Sequence, residues 1–256
     1  IFLRAKFFEH WTVAPADRGA WLSFVLGATL LTGCFFVGAS FAYRWVFVLW
    51  LVPLLWRLPR DQAAPAAVCR LAAAATAKGC LPLDAPVSGG DRGAREGTMT
   101  IMAGGEAAAF EQARPLFEAM GKTISLQGGP GAGQLCKLAN QIGIASGMIA
   151  MSEALAFAHA TGLNLETTLR SISGGGASSW ALLNLAPRVL KVDFAPGFYV
   201  KHFVKDIGLS LDVCKEQGIK LPGLELAAKL YGEVVAAGEG DSGTQALARR
   251  YFQISG

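Results

Sequence analysis

An uncharged run of 23 residues, 21–43, constrains the fold of this chain more than any other feature. About 20 consecutive apolar residues are enough for a helix to cross a bilayer, so the run is long enough for a transmembrane helix. A second apolar run, residues 45–56, is too short to span alone and contains Pro53, which favours a position at the membrane interface. A secretory signal peptide would have a shorter apolar core and a small-residue cleavage site. We therefore expect an apolar helix over residues 21–43 that makes few contacts with the chain from residue 61 onward.

The composition of the chain changes near residue 60. Five of the six tryptophans lie before this point, together with six Lys/Arg and only two Asp/Glu. The net charge of +4 therefore belongs to the first 60 residues, and the balanced charge of residues 61–256 argues against a nucleic-acid partner. The five cysteines and three histidines contain no CxxC and no tight cluster, so the sequence predicts neither a metal site nor a disulfide framework.

Residues 65–127 have the pattern of an α/β sheet domain, in which strands and helices alternate. Apolar alternation indicates strands, and apolar residues at helical spacing indicate helices. The predicted elements are helices over 65–78 and 106–120 and strands over 80–87, 98–104 and 122–127.

The pattern becomes almost entirely helical after the sequence GGPGAG at 128–133. The first predicted helix, residues 134–161, is apolar on most faces, so it should be buried on most faces, at the centre of a bundle or also in a dimer interface. Further helices are predicted over 164–173, 178–191, 203–217 and 223–237. The sequence thus predicts an α/β part followed by an all-α part.

The strongest candidate for catalysis is a GxGxxxKxxN pattern formed by Gly131, Gly133, Lys137 and Asn140, with Gln141 directly after it. Lys137 and Asn140 are three residues apart, so their side chains share one face of the helix. The neighbours of Lys137 are apolar, and partial desolvation would lower the pKa of the lysine and suit it to general acid or base catalysis. The alternative is a lysine in the first turns of the helix that extends to solvent.

Two further groups are candidates for ligand binding. Ser88, Gly89 and Gly90 follow a predicted strand, and the exposed N–H groups of such a turn can bind a carboxylate; an ordinary glycine turn is the alternative. Lys205 and Asp206 lie at a predicted helix start, where Asp206 could simply interact with the helix dipole and Lys205 could be solvated.

The order of four motifs resembles the β-hydroxyacid dehydrogenase family, typified by 3-hydroxyisobutyrate dehydrogenase and tartronate semialdehyde reductase. The motifs are DAPVSGG with GTMTIMAGG, then GAGQLCKLANQ, then SSWAL followed by an asparagine, then DFAPGFYVKHFVKD. The resemblance covers residues 61–250 and implies an NAD(P)-binding Rossmann-like sheet domain joined to a helical-bundle domain. It also implies roles for residues of these motifs: Lys137 as catalytic acid/base with Asn140 beside it, Ser88, Gly89 and Gly90 as the substrate-carboxylate site, and Lys205 as a residue next to the cofactor.

The chain departs from this family on its N-terminal side. The family begins with a strand and a GxGxxG turn whose amides bind the cofactor pyrophosphate. No such turn follows a strand before residue 80, and GGPGAG at 128–133 follows a different strand. We therefore expect three parts: an apolar segment unrelated to the family (1–60), a truncated remnant of the cofactor domain (61–130) and an all-helical dehydrogenase domain (131–256).

The function implied by the resemblance is hydride transfer between a small 3-hydroxy acid and its semialdehyde, with NAD or NADP as cofactor, in a homo-oligomer. The alternative is a non-catalytic remnant that keeps the helical domain for oligomerisation or for binding the substrate acid. If residues 21–43 are genuine, they anchor the protein in a membrane. If they come from a gene-model artefact, the protein is cytoplasmic or mitochondrial.

Overall fold

The computed structural model describes residues 64–252, so the predicted apolar helix over 21–43 and the segment 1–60 lie outside the described residues. The strands are β1 Leu83–Asp84, β2 Val87–Ser88, β3 Met99–Gly105 and β4 Gly121–Gly128. The helices are α1 Pro65–Thr76, α2 Gly90–Glu96, α3 Ala107–Met120, α4 Ala132–Ala160, α5 Leu165–Ser173, α6 Trp180–Asn184, α7 Ala186–Leu190, α8 Val200–Gln217 and α9 Pro222–Ala236. Two short 3₁₀ helices, Glu239–Asp241 and Thr244–Arg250, follow α9.

Strand β3 is the centre of a mixed sheet. On one side β1 and β2 pair with it antiparallel, with Asp84 opposite Gly104 and Ser88 opposite Thr100. On the other side β4 runs parallel to β3. Because Asp84 of β1 is paired with Gly104 near the C-terminal end of β3, the two residues lie side by side at the same end of the sheet.

Helix α3 covers the sheet and forms a small hydrophobic core with it. Phe110 and Phe117 of α3 pack together with a ring-centroid distance of 5.7 Å, and both contribute to the core that contains the fully buried Ile101 and Ala103 of β3. The alternation of apolar residues over 98–104 and their helical spacing over 106–120 are thus explained by burial against each other.

A larger core lies among the helices after residue 131. Met148, Met151 and Leu155 of α4 are fully buried in it, which confirms the prediction of a central apolar helix. Tyr231 of α9 is also fully buried, and its hydroxyl donates to the carbonyl oxygen of Thr244 at 2.9 Å. Burial raises the pKa of Tyr231 well above its usual value, so the hydroxyl keeps the proton that this hydrogen bond needs.

Three of the predicted elements differ from the structure. The strand over 80–87 is two short strands, because Pro86 has no N–H to donate to the ladder. The helix over 178–191 is broken at Leu185, because Pro187 has no N–H for the bond that would continue it. Helix α8 begins at Val200, three residues earlier than predicted. The sequence does not predict helix α2, because glycine has a low helix propensity and α2 contains two glycines. Arg92 and Glu96 form an ion pair along this helix.

One helix within residues 64–252, Ala132–Ala160, is long and apolar enough to cross a membrane by length and composition alone. This helix is α4, and its buried face packs against α8, α9 and the strand β3. Packing in the helical core accounts for the apolar residues on the buried face of α4.

Candidate active site

The first turn of α4 is held on the sheet by a very close approach of two backbones. A side chain at Gly133 would overlap the carbonyl oxygen of Met102, and one at Gly104 would place Cβ 2.6 Å from the nitrogen of Gly133. Only glycine fits at both positions. The second glycine of the GxG sequence therefore brings α4 into contact with β3, and this contact fixes where the residues of the following turns lie.

The carboxylate of Asp84 ties β1 to the start of α4. Its Oδ1 accepts a hydrogen bond from the N–H of Gly131 at 2.7 Å, and its Oδ2 accepts from the N–H of Gln134 at 2.9 Å. Asp84 is 6% exposed, so both bonds form in a largely water-free place. A carboxylate at a helix N-terminus satisfies unpaired N–H groups and interacts favourably with the helix dipole.

This arrangement excludes a dinucleotide-phosphate role for the glycines at 128–133. A pyrophosphate would need the free N–H groups of the helix start, and Asp84 already accepts from two of them. The carboxylate would also repel the phosphate charge. GGPGAG thus has a structural role, since it joins the end of β4 to the start of α4.

We expect Asp84→Ala to lower the free energy of unfolding by about 3 kcal/mol, because two hydrogen bonds to the carboxylate are lost and two N–H groups, one buried and one partly buried, remain unpaired. Asp84→Asn should lower it by a similar amount, since its NH₂ group would face one of the two N–H donors. Urea unfolding measures both changes. The matched control is Asp91→Asn, at a half-buried position on α2; a loss as large in the control would contradict the specific role of Asp84.

Lys137 and Asn140 lie on α4 beyond this anchor, and both side chains are half-buried. Asn140 Nδ2 donates to Gln141 Oε1 at 2.9 Å, and Gln141 Nε2 donates to Asp206 Oδ2 at 2.8 Å. Gln141 and Asp206 are 2% and 7% exposed. A buried chain of hydrogen bonds thus joins the lysine–asparagine face of α4 to α8.

Lys205 precedes Asp206 on α8 and is half-buried. It lies one turn before Leu209, on the same face of α8. Leu209 lines a cleft of about 480 Å³ that opens between the first turn of α1 and α8. Further residues lining this cleft are Ala64, Pro65, Ala66, Asp212, Val213, Lys215 and Glu216. Lys205 itself is not among the residues that line this cleft; it lies one turn before the first of them on α8.

The start of α8 is fixed by the loop before it. Arg188 forms two hydrogen bonds with the Asp193 carboxylate at 2.8 and 3.1 Å, and Gln245 Nε2 donates to the carbonyl oxygens of Asp193 and Ala195. The hydrogen bond from Arg188, assisted by the N–H of Ala195, lowers the pKa of Asp193. These bonds hold the DFAPG turn from which α8 and Lys205 follow.

Ser88 is the last residue of β2, Gly89 connects it to α2, and Gly90 is the first residue of α2. Gly89 and Gly90 are exposed and have φ angles of +136° and +62°, conformations that favour glycine. The turn belongs to the sheet part, whereas the hydrogen-bonded residues Asn140, Gln141 and Asp206 belong to the helical part. Within residues 64–252, no group of three or more His, Cys, Asp or Glu side chains could hold a metal ion.

Sequence reasoning missed the structural roles of Asp84, Gln141 and Asp206. The DAPVSGG motif contains Asp84 but predicts no partner for it, and the sequence predicts for Asp206 only an interaction with the helix dipole. A buried polar side chain needs partners, and an acidic residue between apolar neighbours in a strand is a signal for such a need. The partners themselves lie 47 and 65 residues away, beyond the reach of local patterns.

Comparisons with known proteins match both parts of the chain. A family model described as the NAD binding domain of 6-phosphogluconate dehydrogenase matches residues 62–129. A second, described as NAD-binding of NADP-dependent 3-hydroxyisobutyrate dehydrogenase, matches residues 131–251. Both descriptions name NAD binding, which confirms the expected cofactor class, NAD or NADP.

Relatives and solved structures agree with these matches. A probable 3-hydroxyisobutyrate dehydrogenase-like protein of Arabidopsis thaliana is 49% identical over 183 residues, 72% of this chain and 54% of that protein. The 2-hydroxy-3-oxopropionate reductase of Escherichia coli is 46% identical over 156 residues, 61% of this chain and 53% of that protein. The crystal structure of 3-hydroxyisobutyrate dehydrogenase from Salmonella typhimurium is 32% identical with a TM-score of 0.69, and the match covers 73% of this chain and 66% of that one. The chain thus spans little more than half the length of these two curated relatives, and the sheet-plus-helical fold is confirmed.

Proposed function

The chain belongs to the β-hydroxyacid dehydrogenase family of NAD(P)-dependent oxidoreductases, and we propose that it carries the substrate-binding and proton-transferring part of a dehydrogenase for small 3-hydroxy acids. The reaction is reversible: a 3-hydroxy acid and NAD(P)⁺ give a semialdehyde, NAD(P)H and a proton. The observation that carries the proposal is the lysine–asparagine face of α4, joined through Gln141 and Asp206 to the helix that bears Lys205.

In the proposed mechanism, neutral Lys137 removes the proton of the substrate hydroxyl. In the direction of reduction the protonated Lys137 returns a proton to the carbonyl oxygen. NAD(P) supplies or accepts the hydride when it is bound. Lys137 suits this role because it is half-buried on a helix whose start is rigidly held on the sheet, and a fixed position is what acid–base catalysis requires.

Asn140 and the glycine turn position the substrate in this proposal. Asn140 lies three residues after Lys137 on the same face of α4, within reach of the same hydroxyl. Ser88, Gly89 and Gly90 bind the carboxylate through the serine hydroxyl and exposed backbone N–H groups. A carboxylate held at one end and a hydroxyl at the other would select short 3-hydroxy acids.

Among the described residues, we propose only Lys205 as a contact of the cofactor. Lys205 is half-buried on α8, and in this proposal its positive charge interacts with the anionic cofactor. Within residues 64–252 the start of α4 is closed to a pyrophosphate by Asp84. We propose that residues 61–130 are the second half of the cofactor domain and residues 131–256 the helical domain. The family models meet at this boundary, which supports the division.

A fluorescence titration of the purified chain with NADH and NADPH tests the proposal. We expect binding that Lys205→Ala weakens and that Lys229→Ala, at an exposed position on α9, leaves unchanged. No binding at millimolar concentration of either cofactor would contradict a catalytic function for this chain. It would favour the alternative, a non-catalytic protein whose helical part binds the substrate acid or a second copy. Exposed apolar side chains on α4, such as Phe157 at 68%, support the alternative.

A further inference from the structure

The hydrogen-bond chain from Asp206 to Asn140 has a direction. A carboxylate without a proton can only accept hydrogen bonds, so the group of Gln141 that faces Asp206 is its NH₂ group. The oxygen of the Gln141 amide then faces Asn140, and the group of Asn140 that meets it is again NH₂. One buried carboxylate thus orients two amides in series.

We propose that Gln141 and Asp206 are positioning residues that fix the orientation of the Asn140 amide, so that Asn140 presents its carbonyl oxygen, Oδ1, to the substrate side. This inference rests on the proposed function for what Oδ1 contacts, but the amide orientation itself is independent of catalysis. An amide that could turn over would offer NH₂ and oxygen alternately. A fixed amide keeps its oxygen on one side, where it can accept from the O–H of a substrate alcohol or from the ammonium group of Lys137.

Burial makes the orientation stable. Gln141 is 2% exposed and Asp206 is 7% exposed, so water cannot readily replace either partner. If the Gln141 amide turned over, its oxygen would face the carboxylate of Asp206 and its NH₂ would face the NH₂ of Asn140. Both contacts would be repulsive in a place of low polarity, so the reversed arrangement is disfavoured. The two helices α4 and α8 hold these three side chains in line.

The chain offers an unusually simple spectroscopic test, because it contains three asparagines, Asn140, Asn164 and Asn184. Protein labelled with ¹⁵N only at asparagine gives three side-chain NH₂ signals, and Asn140→Ala identifies the one of interest. We expect a single Asn140 signal whose hydrogens exchange with solvent at least tenfold more slowly than those of Asn184, which is exposed.

Moving the carboxylate from position 206 to position 141 tests whether it sets the orientation of the Asn140 amide, as opposed to packing alone. Asp206→Asn adds a fourth asparagine NH₂ signal, which is set aside by comparison with Asn140→Ala/Asp206→Asn; because the chain of amides can then run in either direction, the Asn140 signal itself should split or broaden. In Gln141→Glu two carboxylates face each other, and the signal should shift. The double variant Gln141→Glu/Asp206→Asn again has one acceptor-only group beside Asn140, so the single wild-type-like signal should return. The control Ser152→Ala, at a buried hydroxyl three turns further along α4, should leave it unchanged.

The NMR results test the orientation of the Asn140 amide, whereas turnover tests the proposed function. An Asn140 signal that stays as in the wild type in both single variants would overturn the proposal, and so would a folded double variant that does not recover it. The signals of Asn164 and Asn184 report whether each variant is folded. If the single variants unfold, fast exchange of the Asn140 NH₂ in the wild type would still overturn it. Where turnover is measurable, kcat should fall in the single variants and recover in the double variant at similar KM for NAD(P)H; a chain without turnover would contradict the proposed function only.

Discussion

Replacing Lys137 with methionine is expected to lower kcat for 3-hydroxy acid oxidation by about 10²–10⁴-fold, the contribution typical of a positioned acid–base group. Methionine keeps most of the length and apolar contacts of the lysine stem but cannot accept a proton. Binding of NAD(P)H should change little, because the lost step is proton transfer. Steady-state kinetics with a semialdehyde such as 2-hydroxy-3-oxopropionate, and with the corresponding alcohol, measures the effect in both directions.

Lys137→Arg separates charge from proton transfer. The guanidinium of arginine stays protonated in proteins, so it keeps the positive charge without serving as a base. We expect oxidation in this variant to be as slow as in Lys137→Met. The control is Lys229→Met, which removes an exposed lysine of α9. Near-normal kcat in Lys137→Met would show that another group transfers the proton.

The candidate site could be found in the sequence where its residues are close neighbours along one helix. The spacing of Lys137 and Asn140 places them on one helix face, and the structure has both within α4. The turn at Gly89 and Gly90 was also predictable, because paired glycines after a strand favour positive φ angles. Local rules are sufficient for these features since each depends on residues only a few positions apart.

The parts that could not be predicted depend on contacts between distant elements. The hydrogen bonds from Gly131 and Gln134 to Asp84 join residues about 50 positions apart, and no periodicity reveals them. The breaks at Pro86 and Leu185 depend on single missing N–H groups within otherwise regular patterns. The glycines before Lys137 resembled a phosphate-binding turn in composition, and only the packing against Asp84 and β3 explains them.

This packing leads to a large expected effect on stability at Gly133. A methyl group there would overlap the carbonyl oxygen of Met102 and lie 2.7 Å from Oδ2 of Asp84. Both neighbours are held by the sheet and by hydrogen bonds, so α4 itself has to move. We expect Gly133→Ala to lower the free energy of unfolding by about 3 kcal/mol, the upper end of the usual range for overpacking.

Gly143→Ala is the matched control, because Gly143 lies on the same helix and a methyl group there has no atom within 4 Å. Alanine favours a helix over glycine by about 1 kcal/mol, so this variant should be slightly more stable than the wild type. Urea unfolding of the two variants should therefore give shifts of opposite sign. If Gly133→Ala were as stable as Gly143→Ala, the start of α4 would not be fixed by the contact with β3. The position of Lys137 would then need another cause, since the same contact sets where the lysine lies relative to the sheet.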